Sequence, residues 1–148
     1  MNDQLRTSAI NAERRRLTLA REFANRINRT SNNPEISVES AMDRFAAAFL
    51  IPEQQLLGDV GSNRDRVAHC EIMRLKHMYG VPAATVPMRL GQVGVLPSST
   101  VKRAFVTFAR RWRKAEPHPI GEDQGFSDLE KPRLFEFLAL RALGYGLN

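Results

Sequence analysis

Apolar residues recur along this chain at spacings of three and four, in block after block, and each block is closed by a proline, a glycine or a polar run. That is the helical period, so the chain is expected to fold as amphipathic helices packed on one another, with little sheet. The first block, residues 12–27, places Leu17, Ala20, Phe23, Ala24 and Ile27 on one face and is broken by the RTSNNP run at 29–34. A second helix is expected after Ser37, a favourable N-cap, burying Met42, Phe45, Ala46 and Phe49 before Ile51 and Pro52 close it. Residues 54–63 read as a loop with at most one short helical turn. The third block, 64–79, buries Ala68, Ile72, Leu75 and either Met78 or Tyr79, with Gly80 placed to cap it.

A shorter fourth helix is expected from Pro82 through Val86, Leu90 and Val93, although Pro87 lacks an N–H for its ladder. Pro97, Ser98 and Ser99 then lead into a fifth helix over 100–114 with Val101, Phe105, Phe108 and Trp112 inward. Residues 116–125, rich in proline, glycine and acid, read as a linker. Ser127 and Glu130 form a capping box for a sixth helix that buries Leu134, Phe137, Leu138 and Ala142 and ends at Gly144. Only 7–11 and 93–96 have an extended character. The division expected is 1–60, a helical unit; 61–115, a second helical unit with the spacing of a helix-turn-helix; and 116–148, an acidic linker with a last helix.

With 148 residues, 43% of them apolar, the chain can bury a real core without staples and is not expected to be disordered. No apolar run approaches the roughly 20 residues of a membrane span, and the N-terminal residues hold no apolar signal-peptide core, so a cytoplasmic location is expected. Cys70 is the single cysteine, which excludes an internal disulfide framework and a zinc ribbon. The net charge of +6 is unevenly spread: residues 1–114 hold 19 basic and 10 acidic side chains, whereas 115–148 hold 3 and 6. Eighteen of the basic residues are arginines, which favour planar contacts to carboxylate or phosphate.

Residues 14–25, RRRLTLAREFAN, resemble the active-site helix of the ImmA/IrrE family of zinc metallo-endopeptidases. In that family an arginine-rich stretch and a Thr-Leu-Ala run lead into His-Glu-x-x-His. Residues 39–52, ESAMDRFAAAFLIP, are similar to the second helix of the family and are the most specific element of the likeness. The Leu-Lys, Tyr-Gly-Val, Arg-Leu and Gly-Val-Leu elements between 75 and 96, together with Glu116-Pro117 and the closing residues 132–146, extend the similarity over most of the chain from Arg14 onward. The resemblance implies a helical remnant of a zincin-like domain, followed by a helix-turn-helix-like subdomain.

The departures from the pattern bear directly on chemistry. Two imidazoles four residues apart on a helix hold zinc, and the glutamate between them polarises a metal-bound water. Arg21 stands at the first histidine position and Asn25 at the second, while Glu22 matches the general base and Glu39 the third ligand. Arginine has no lone pair to offer a cation. One carboxylate ligand does not hold zinc, so the resemblance implies a degenerate site with Glu22 idle and no cofactor. His69, His77 and His118 are not spaced to repair it, and Cys70 beside His69 points to another side of its helix. If the family geometry is kept, Arg21 is expected to replace the metal's charge by pairing with Glu39 or Glu22. Only residues 1–13 precede the active-site helix, where family members carry a strand-bearing segment that aligns substrate. An exposed apolar face on the first two helices is therefore expected unless a partner or a second copy covers it.

The basic residues open a second possibility, a DNA-binding regulator. The third and fourth blocks have helix-turn-helix spacing, in which the second helix enters the major groove. That helix is poorly equipped, with Thr85, Arg89 and Gln92 as its candidate contacts. The fifth block is richer: Lys102, Arg103, Arg110, Arg111, Arg113 and Lys114 stand with no acid between Thr100 and Ala115, and 103, 110 and 114 form one stripe beside the apolar Phe105 and Phe108 face. Such contacts give affinity for phosphates more than sequence specificity. The function expected first is a catalytically inactive regulatory or protein-interaction module. Its implied partner is a helix-turn-helix repressor of the kind found in phage, mobile-element or toxin-antitoxin systems. DNA binding is the alternative, and an active zinc endopeptidase with other ligands is a third.

Overall fold

The structure, a computed structural model, describes residues 11–28 and 38–120, and its described residues are mainly helical and contain no strand. The N-terminal residues to 10, the break between the first two helices and the sixth expected helix lie outside the described residues. Helix α1 (Ala12–Asn28) packs along α2 (Val38–Leu50), and α3 (Glu53–Val60) follows after Pro52. Then come α4 (His69–Tyr79), α5 (Thr85–Gln92) and a basic rod. The rod consists of α6 (Ser98–Ala104), a π-helical turn (Phe105–Ala109) and α7 (Arg110–Lys114).

Four local expectations are corrected. The presumed loop at 54–63 forms α3, because Pro52 starts it in an extended conformation and Leu56, with Leu57 and Val60 beside it, meets the core. The third helix begins at His69 and not at 64. Ala68 is exposed and extended, and the chain before it is held away from the helix by Arg64, whose N–H donates to the Val95 carbonyl and whose guanidinium pairs with Glu71. Pro87 causes no break, since α5 starts at Thr85 and its third residue needs no donor. Residues 93–96 close α5 instead of forming a strand: the N–H groups of Val95 and Leu96 both donate to the Leu90 carbonyl, and Gly94 supplies the positive φ of 77°. Gly80 adopts the left-handed conformation expected of a helix cap.

The core gathers Ile51, Leu56, Ile72, Leu75, Tyr79, Val81, Val86, Leu90, Val95, Leu96 and Trp112. Each aliphatic side chain buried this completely contributes roughly 1.5–3 kcal/mol relative to exposure. Helix α5 lies at the centre, against α2, α4 and α6. Its approach to α6 is set by Gly91, where a Cβ would lie 2.7 Å from Cγ2 of Val101.

A charged cluster sits inside this apolar frame. Lys76 of α4 and Glu13 of α1 are both 0% exposed and paired, and Lys76 Nζ lies 3.2 Å from Oε1 of Glu116, which is also buried. Glu13 Oε1 accepts the Ile120 N–H at 2.8 Å, and Glu116 Oε1 accepts the Ala83 N–H at 2.7 Å. Arg14 donates to the Trp112 carbonyl at 2.8 Å and lies 3.7 Å from Glu116 Oε2. The segment beginning at 116, expected as a free linker, is thus docked at least as far as Ile120, itself buried. Its two anchors are a carboxylate and a backbone N–H.

Candidate functional site

The α1–α2 hairpin carries the four residues that the resemblance implies for a degenerate metal site. Arg21 and Asn25, four apart, are half-buried on one side of α1, whereas Glu22 and Glu39 are exposed. The partner of Arg21 differs from the one expected. Its Nε stands 2.7 Å from Oδ1 of Asp43, one turn beyond Glu39 along α2, and no ion pair joins Arg21 to Glu39 or Glu22 among the described residues. The reason is register. Glu39 lies in the first turn of α2, and the antiparallel packing brings position 43 opposite position 21. The contact is one of proximity more than alignment, since the Arg21 N–H is not directed at that oxygen. Both side chains are more than two-fifths exposed, which limits such a pair to roughly 0–1 kcal/mol. No group of three or more metal-ligating side chains occurs among the described residues.

The other face of the hairpin is apolar and open. Phe23, Phe45 and Phe49 form a ring cluster with centroids 5.9–6.0 Å apart, which joins the two helices. Even so, Leu19 (63%), Phe49 (58%), Phe23, Ile27 and Val38 remain about half exposed or more. On α1, positions 16, 19, 20, 23 and 27 run down one stripe; on α2, positions 38, 45 and 49 do the same. Between them a shallow groove of about 350 Å³ is lined by Arg16, Leu19, Ala20, Phe23, Phe49 and Leu50. Five large apolar side chains grouped on one helix pair go beyond the scattered exposure normal for a surface.

The nucleic-acid candidates separate into two groups. Arg89 is a correction: it is 8% exposed, and its Nε donates to the Ile51 carbonyl at 3.0 Å. Its pKa is lowered by burial, and Glu53 nearby partly offsets that effect. Thr85 is buried as well, so the helix expected to read a groove is turned into the core. By contrast Lys102, Arg103, Arg111 and Lys114 are exposed along the rod, to which Arg110 and Arg113 also belong. The π turn alters their alignment. Its i→i+5 bonding adds a residue to the turn, so the line through position 103 continues through 107 to 111. It does not run to 110 as in an unbroken α-helix.

Two features of the interior had visible but unread signals. Lys76 falls on the stripe of Ile72, Leu75 and Tyr79, and Glu13 on the stripe of Leu17, Ala20 and Ala24. A charge at an inward position of each of two helices is the pattern of a buried ion pair. The π turn and the Asp43 register left no comparable mark.

No protein-family model matches this chain, and neither the curated proteins nor the solved structures contain a significant match.

Proposed function

We propose that this chain is a catalytically idle relative of the ImmA/IrrE metallopeptidases that works as a protein-interaction module in gene regulation. The observation that supports it best is the open apolar face of α1 and α2, with Leu19, Phe23, Ile27, Val38 and Phe49 at its surface. A helix pair of this kind is suited to receive an amphipathic helix or a second copy of itself, each burying an apolar stripe. On this reading the Arg21–Asp43 pair occupies the place where relatives bind zinc, and Glu22 has no metal-bound water to polarise. The partner class that the resemblance implies is a helix-turn-helix repressor.

Three measurements test the proposal. Metal analysis of purified protein is expected to find no stoichiometric zinc, and a one-to-one content would overturn the idle reading. The pair Arg21→His with Asn25→His should create zinc affinity measurable by calorimetry if α1 and α2 retain the ancestral geometry, and no gain would count against the kinship. For the interaction, hydrogen exchange of α1 and α2 should slow when the repressor partner or a second copy binds. Leu19→Ser with Val38→Ser, both outside the phenylalanine cluster, should abolish that protection while leaving the thermal transition nearly unchanged.

A further inference from the structure

A concave feature outside the hairpin lies between the 61–68 segment and the rod. It measures about 490 Å³ and is lined by Asp65, Arg66, Val67, Thr100, Arg103, Ala104, Thr107 and Phe108. Its volume falls in the range of sites that hold one small molecule or one nucleotide. Arg66 and Arg103 come from separate elements and both are exposed, and no carboxylate among the described residues lies within ion-pair distance of either. The neighbouring Arg64 is used up by Glu71. The wall between the two guanidiniums is fixed, because Thr100 Oγ1 donates to the Asp65 carbonyl at 2.9 Å.

The apolar side of the cleft is made by Val67, Ala104 and Phe108. Phe108 is held rigidly: it stacks on Trp112 with centroids 5.2 Å apart and planes 11° from parallel, and the His69 ring lies 5.5 Å away. Because of the π turn, Arg103, Thr107 and Arg111 stand one above another, so cationic and hydroxyl groups lead out of the cleft along the rod. Two guanidiniums with no carboxylate partner among the described residues, a rigid aromatic wall and a basic track from the same opening are the elements with which proteins hold single-stranded nucleic acid. Asp65 on the rim disfavours a small polyanion filling the whole cleft, and its carboxylate can accept from the N–H groups of a base.

We propose that this cleft seats one nucleotide of a single-stranded nucleic acid, its phosphate between Arg66 and Arg103 and its base against Phe108, with the strand continuing past Thr107 to Arg111. The assignment is independent of the pseudo-peptidase reading, since it uses neither α1 nor α2. Duplex DNA fits the cleft less well, because its bases are paired and unavailable to Phe108.

Fluorescence anisotropy with a labelled 15-nucleotide oligothymidine, read from 50 to 200 mM salt, tests the proposal. The double substitution Arg66→Gln with Arg103→Gln should weaken binding about tenfold or more at 50 mM salt. It should also flatten the slope of log K against log salt by about 0.7, the release expected for the one single-strand phosphate the pair holds. Arg44→Gln with Arg74→Gln removes the same charge from exposed positions on α2 and α4 and should leave the slope unchanged. Equal losses in the two variants would reduce the effect to net charge and overturn the site, as would the absence of binding at 50 mM salt. A duplex that binds as tightly, with the same dependence on Arg66 and Arg103, would overturn the single-strand assignment. So would thymidine monophosphate displacing the oligomer at equal nucleotide concentration.

Discussion

Replacing Lys76 by methionine should remove a large part of the stability of this fold, even though methionine fills nearly the same space. Lys76 Nζ is the cation for two carboxylates, Glu13 and Glu116, and all three side chains are excluded from solvent. Taking away one member of a buried ionic group costs about 3–5 kcal/mol, because the charges left behind have neither partner nor water. Here two like charges remain: Glu116 keeps only Arg14, at 3.7 Å, as a cation and Oε2 of Glu13 already lacks a hydrogen-bond partner, so a loss within that range is expected. Domains of this size have on the order of 5–15 kcal/mol in total. The loss should therefore move the urea midpoint far to the left at nearly constant m, and lower the thermal midpoint by on the order of 10 °C. A compensated variant sharpens the test. Lys76→Met with Glu13→Gln and Glu116→Gln removes every charge but leaves side-chain oxygens to accept from Ile120 and Ala83. It should recover more than half of the loss. The wild-type midpoint should also respond little to 1 M salt, since ions cannot reach the cluster. If Lys76→Met costs less than about 1 kcal/mol, the figure for an exposed pair, the cluster is hydrated and the reasoning fails.

Three further outcomes are expected. The Tyr79 hydroxyl donates to Asp59, and burial, reinforced by that carboxylate, raises its pKa above the usual tyrosine range. Because the folded value is raised, its contribution to stability is complete below pH 10 and is lost as pH climbs beyond it. Absorbance titration should accordingly show a tyrosine that ionises only with unfolding, a phase missing in Tyr79→Phe. Gly91→Ala should force α5 and α6 apart at Val101 and cost about 1–3 kcal/mol by thermal denaturation. Arg89→Met should leave the Ile51 carbonyl without its donor and cost about 1–3 kcal/mol in chemical denaturation, with no change in oligonucleotide affinity.

The helical class, the α1 and α2 positions and the inward faces of α4 and α5 were legible because each is a local property of spacing. Ile72, Leu75, Val86 and Leu90 are buried where a 3.6-residue period puts them. The start of α4 at His69 was not legible, since it depends on a contact with Val95, distant in sequence, that overrides a helix-compatible run. The same holds for Arg89, whose long side chain looks like a surface cation until Ile51 is brought beside it. In the candidate sites, sequence identified Arg21 and Arg103 as unusual but could not supply Asp43 or Arg66. Those pairings are set by how one element lies across another.

The docking of residues 116–120 also bears on synthesis. A nascent chain that has emerged only to Lys114 has Lys76 and Glu13, but neither the Glu116 carboxylate nor the Ile120 N–H. Contacts spanning 107 residues close slowly, so α1 cannot complete its contacts until Ile120 has emerged. Until then the phenylalanine face of α1 and α2 and a half-neutralised lysine would be open together. That interval is when this chain exposes the most apolar surface to its surroundings.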